Sequence, residues 1–294
     1  VHKMPYLKSI FLLFKDAFLA FLNDQASIYA AGLAYYMVFS VAPLLVFVIG
    51  IAGFFIDRSL AEEQVTLQLH YLMGDQSADF IDGIVTTLRD QTMGQTVTIV
   101  RIVALLIAGT GVFRQLRAAL NRIWGITNVR PANIREWMLL ARYRAIPFLS
   151  VFLLGTTLAL AVIAETVLST IEVRFEALFP DAYLPLPQLS RLIIPGLTFA
   201  AFLFVFIVLP DAQIRRRDAA VGAAVTAVLF LIGRSILAIF LGLSNTGSIY
   251  GAAGSLIILL LWVYYSAQIL LYGAEFTRLY SMRHGQAIRP IRLS

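Results

Sequence analysis

The feature that most constrains this chain is the run of residues 25–56, which carries no charged side chain at all. Three more uncharged runs follow, at 145–164, 192–210 and 235–274. A bilayer-crossing helix needs about 20 mainly apolar residues. The second and third runs hold one such helix each, the first holds one with room to spare, and the fourth holds the end of one and the whole of another. Only 14% of the 294 residues are charged, against about 25% in a soluble domain. The chain reads as an all-α, polytopic membrane protein.

Six spans are predicted, at about 33–56, 97–113, 145–164, 192–209, 219–242 and 252–272 of the sequence. Arg101 interrupts the second, and Gly109 and Gly111 loosen it. Asn245-Thr246-Gly247-Ser248 supplies turn chemistry between the last two, so they are expected to form a helical hairpin. Seventeen Lys and Arg residues fall in the N-terminal segment, the 114–144 and 210–218 loops and the tail, against four in the intervening loops. The positive-inside rule then places both termini in the cytoplasm, which an even span count also requires.

Residues 1–24 are expected to hold an amphipathic helix in the cytoplasmic interface, with packing against the bundle as the alternative. Lys8, Lys15, Asp16 and Asn23 mark its polar face, and Phe11, Phe14, Phe18 and Phe21 its apolar one. Residues 25–280 form the transmembrane domain and 281–294 a basic cytoplasmic tail. The acidic 57–96 loop is expected outside as two short helices, with Ser59 and Glu62 spaced as a capping box.

Several chemistries are excluded or disfavoured. With no cysteine there is no disulfide, thiolate metal site or cysteine nucleophile. Only His2, His70 and His284 are present, scattered, and no phosphate-binding P-loop occurs. Asp75, Asp79 and Asp82 could share a helix face, but without a calcium-loop pattern they read as a solvated acidic face. No metal, cofactor, nucleic-acid partner or enzymatic activity is expected.

The polar residues that remain are candidates for binding. Arg234 lies near the middle of the fifth span, where a charge costs at least about 2.5 kcal/mol and usually faces the bundle interior or a wet cavity. Its role is either contact with an anion or headgroup, an ion pair, or snorkelling. Glu165, near the outer end of the third span, is a partner for either Arg101 or Arg234, whereas Glu275 is expected to pair with Arg278 one turn on or with arginines of the 114–144 loop. Tyr264, Gln268, Tyr272 and Glu275 form a seam on the sixth span, and Tyr29, Gly32, Tyr36, Ser40 and Pro43 another on the first. Such seams either glue helices together or line a substrate path. Arg114, Arg117, Asn121 and Trp124 share a face of the helix that continues from the second span. Arginines there suit anionic lipid headgroups, at about 1 kcal/mol each.

Three separated segments resemble the YihY/virulence factor BrkB family. They are Ala30-Ala31-Gly32-Leu33-Ala34-Tyr35-Tyr36 running on through Phe39-Ser40-Val41-Ala42-Pro43, then Ala119-Leu120-Asn121-Arg122-Ile123-Trp124, then Tyr250-Gly251-Ala252-Ala253-Gly254-Ser255 continuing to Gly273-Ala274-Glu275-Phe276. The resemblance covers roughly residues 20–280 and implies a six-span bacterial inner-membrane protein with cytoplasmic termini. It implies no catalytic residues. The family long carried a ribonuclease label now regarded as mistaken, and relatives are associated with serum resistance and with export of lipid A precursors. The expectation is a transporter or channel-like protein handling lipids or another amphipathic anion in envelope maintenance. A membrane scaffold or envelope-assembly factor is the alternative, and a membrane-bound ribonuclease a more distant one. Expected partners are anionic lipids on the cytoplasmic side, a second copy of the chain or an envelope protein.

Overall fold

The computed structural model describes residues 6–73, 83–86, 99–126, 156, 160, 163, 167, 170–171, 186–243, 254–284 and 288–290. Its elements run α1 (Tyr6–Asn23), α2 (Ala26–Phe55), α3 (Arg58–Met73), α4 (Ile99–Ile123), α5 (Leu186–Val208), β1 (Ala212–Gln213), α6 (Arg216–Leu243), α7 (Gly254–Arg283) and β2 (Arg289–Pro290). Three described helices are long and apolar enough to cross a membrane: Ala26–Phe55, Arg216–Leu237 and Gly254–Arg283. They coincide with the predicted first, fifth and sixth spans. The predicted third, 145–164, lies almost wholly outside the described residues.

The bundle is built around α2 and α7. Helix α2 packs on α4 and α7, α7 packs on α6, and α6 packs on α5. Lipid tails are as apolar as leucine, so close backbone approach and interhelical contact, rather than escape from water, hold such helices together. The α6–α7 crossing shows this directly. A Cβ on Gly222 would fall on the Thr277 hydroxyl, and a Cβ on Gly273 would fall on that of Thr226. Each threonine is fully buried and donates its own hydroxyl to the carbonyl of the glycine one turn earlier, at 2.7 Å. The two Gly-x-x-x-Thr turns are therefore a reciprocal antiparallel lock.

Helix α1 packs against α7, the arrangement given above as the alternative. Leu13 and Ala17 are buried with Phe276, and the Phe14 and Phe276 rings lie 4.9 Å apart. Phe11, Phe18, Leu19 and Leu22 stay exposed on its other side, so the helix has a packed face and a bare apolar face. At the joint, Gln25 adopts a left-handed φ of 52°, which lets α2 start directly after the Asp24-Gln25 turn. At the matching end of α4, Gly125 with φ 68° stops the helix, as a C-terminal glycine does.

Two local expectations are corrected. Helix α3 begins at Arg58, so its capping group is Asp57 rather than Ser59: the Asp57 carboxylate accepts from the Ser59 amide at 2.8 Å and from the Ser59 hydroxyl. Those bonds hold the Asp57 carboxyl below the usual carboxylate range. Glu62, freed from a capping role, accepts from Arg58 Nε at 3.1 Å. In the tail, α7 runs on to Arg283, and Ala212 and Gln213 pair antiparallel with Pro290 and Arg289. This short ladder, absent from an all-α reading, ties the chain end to the α5–α6 connection. Asp75, Asp79 and Asp82 lie outside the described residues.

Candidate functional site

The polar side chains concentrate where α1, the start of α2, the end of α4, the α5–α6 connection and the end of α7 meet. Around them sits an apolar cluster that includes Phe21, Ala30, Leu120, Phe206, Leu209 and Leu271. The face predicted on α4 is partly realised. Arg117 grips Asp211 with two nitrogens, Nε to Oδ2 at 3.1 Å and Nη2 to Oδ1. Asn121 donates to the same Asp211 Oδ2 at 2.8 Å and accepts from the Asp211 amide at 2.9 Å. Trp124, one turn further on, donates its indole N–H to the Ala274 carbonyl at 3.1 Å. Arg114, a turn earlier, is exposed and outside this group. Arg117 and Asn121, two of the side chains expected to receive lipid headgroups, thus hold the α5–α6 connection through an aspartate 94 and 90 residues away.

The ion pair between Glu275 and Arg278 is present, Oε2 to Nη2 at 2.7 Å. The same Arg278 nitrogen also reaches Asp24 Oδ2, at 3.3 Å. Glu275 has no solvent exposure, and Arg278 is partly exposed. The result is two carboxyl groups on one guanidinium nitrogen, joining the α1–α2 joint to α7. Close by, Tyr272 donates to the Phe14 carbonyl at 3.0 Å, Arg283 to Asp16 at 2.6 Å and Ser281 to Asp218 at 3.1 Å.

The remaining predicted residues are not gathered into one pocket. Ser40 is buried and donates to the Tyr36 carbonyl of its own helix at 2.9 Å, while Tyr36 is exposed at the helix edge with its ring over Gly111 of α4. Tyr264 is half-buried between the two main apolar clusters, and Gln268 is half-buried one turn on. Arg234 is half-buried on α6. Glu165, its expected partner, lies outside the described residues, as does the side chain of Arg101. Among the described residues, no group of three or more metal-binding side chains comes together.

Asp24 and Asp211 are the members that sequence reasoning missed. Asp211 does carry a signal, standing at the end of an apolar run just before Arg215-Arg216-Arg217, whereas Asp24 follows a segment of three lysines and Asp16 and has no such neighbours. Charge counting treats such residues as noise, whereas an acid among arginines at a helix end is a natural partner for them.

The chain matches the family described as virulence factor BrkB over residues 17–292. It is 29% identical over 265 residues to a UPF0761 membrane protein of Aeromonas salmonicida, an alignment covering 87% of this chain and 84% of the relative. A UPF0761 membrane protein of Psychromonas ingrahamii is 28% identical over 260 residues, 87% and 82% of the two chains. One from Klebsiella pneumoniae is 32% identical over 184 residues, 61% and 59%. No solved structure matches the chain. With the family spanning nearly its whole length and its apolar helices where the segments of resemblance lie, the chain belongs to the virulence factor BrkB family of membrane proteins.

Proposed function

We propose that this protein is a six-span bacterial inner-membrane protein, with both termini cytoplasmic, that moves a lipid or another amphipathic anion in envelope maintenance and performs no covalent chemistry. The observation that carries the reading is the setting of Arg234. It sits half-buried within α6, on the side shared with buried Ala227 and roughly opposite the exposed apolar stripe of Val228, Ile232, Ile236 and Ile239. An arginine retained among such neighbours is expensive in a bilayer and suits a pathway or a counter-ion. A guanidinium turned away from the exposed apolar side of its helix suits an anionic head taken inside the bundle, with the acyl tail left toward lipid.

The test is movement of a fluorescently tailed anionic phospholipid across liposomes containing the full chain. Arg234→Gln should lower the rate at least about tenfold, equivalent to about 1.4 kcal/mol, while leaving thermal stability unchanged. Arg234→Lys should retain part of it, because it keeps charge without the planar fork. Wild-type rates in Arg234→Gln would overturn the assignment.

A scaffold role is the second reading. It is favoured by the use of Arg117 and Asn121 to brace the bundle through Asp211. It predicts that the wild-type protein moves no lipid at all.

A further inference from the structure

We propose that Asp24 and Glu275, bridged by Arg278, form a proton-binding site that clasps α1 to α7. The inference stands independently of lipid movement. It starts from a charge count at one point: one Arg278 nitrogen lies 2.7 Å from Glu275 Oε2 and 3.3 Å from Asp24 Oδ2. One guanidinium cannot neutralise two carboxylates, and Glu275 has no solvent exposure through which water could help. A second carboxylate confined beside the first is costly, and neighbouring carboxyls relieve that cost by sharing one proton. The proton comes from water when α1 docks, and the O–H of one acid then faces the other's carboxylate while Arg278 balances the remaining charge. Release of α1 separates Asp24 from Glu275 and returns the proton to water.

Asp24 and Arg278 are both partly exposed, which gives protons a route to the buried Glu275. The other described charges on the surrounding elements are either paired or exposed. On α1, Asp16 accepts from Arg283, and Lys15 is exposed. Helix α2 carries no charge. On α4, Arg117 is held by Asp211, and Arg114 and Arg122 are exposed. On α6, Asp218 accepts from Ser281, Arg216 and Arg217 are exposed, and Arg234 lies more than four turns further along. His284, bonded to the Tyr280 carbonyl, is the competing titratable group on α7 and serves as the control.

The absence of native cysteine makes the test direct. Infrared spectra of the full chain in lipid nanodiscs at about pH 7 should contain the carbonyl stretch of one protonated carboxyl, an ionised state being normal for a free acid there. Glu275→Gln and Asp24→Asn should each abolish it, and His284→Gln should not. Spin labels at Leu22→Cys and Met282→Cys, both exposed positions, then report docking of α1 between about pH 5 and pH 9. Because one proton leaves with undocking, the undocked-to-docked ratio should rise by up to about tenfold per pH unit. That slope should vanish in Glu275→Gln and persist in His284→Gln. A spectrum without the protonated-carboxyl band, a band that survives both acid substitutions, or a ratio independent of pH in the wild-type chain would each overturn the proposal.

Discussion

The two ends of this bundle are held by different physics. At the end where α1 lies, polar contacts that are long-range in sequence cross between helices and add to the apolar packing. Asp211 joins α4 from 90 residues away, Trp124 donates to a carbonyl 150 residues on, and Asp24 meets Arg278 across 254. At the opposite end, α2, α3 and α7 meet through Val41, Leu45, Val48, Ala61, Val65, Leu259 and Val263. Among the described residues the ion pair there, Arg58 with Glu62, is local to one helix. Apolar packing in a bilayer is only slightly better than contact with lipid, so it tolerates rearrangement. A donor and acceptor lattice is more selective, because a buried group that loses its own partner is left unsatisfied. The α1 end therefore sets which helices meet, and the other end fills the space they leave.

That contrast can be broken most visibly at Asp211. Replacing it with Ala removes the acceptor for both Arg117 and Asn121 and should cost about 3 kcal/mol, read as a lower thermal midpoint in detergent. Removing Arg117 as well, with Arg117→Met, should recover part of the loss, as expected when a whole ion pair is replaced by apolar contact. An unchanged midpoint in Asp211→Ala would show that the lattice follows the packing rather than directing it.

At the far end the response should depend on volume alone. Leu259 is fully buried, so Leu259→Ala should cost about 2–3 kcal/mol through the cavity it leaves. Leu259→Met, which keeps volume, should stay within about 1.5 kcal/mol of wild type. If methionine is as damaging as alanine, that end is a tightly specified interface and the comparison fails.

The smallest effects separate two glycines. Gly273→Ala drives a methyl into Thr226 and should destabilise by about 1–3 kcal/mol, the usual range for overpacking. At Gly50 nothing lies within 4 Å of the added carbon, so Gly50→Ala should be neutral or stabilising by up to about 1 kcal/mol from helix propensity. Equal midpoints for the two variants would mean that the α6–α7 lock opens without cost.

What was legible in the sequence was whatever depends on neighbours within a turn or two. Apolar stretches located α2, α6 and α7, the second of them despite Arg234, because hydropathy over twenty residues decides whether a helix can live in lipid. The spacings of three, four and seven placed Glu275 with Arg278 and aligned Arg117, Asn121 and Trp124, because helical periodicity sets those relations without reference to any other segment. Tertiary structure decided the rest. Which acid Arg117 would hold, whether α1 would pack or float, and that Asp24 would share Arg278 with Glu275 all depend on how helices far apart in sequence come to lie together. Several basic residues were equivalent candidates for each acid on charge alone. Packing chose among them, since a Coulombic partner counts in a bilayer protein only when the helices bring it within a few ångströms and take the water away.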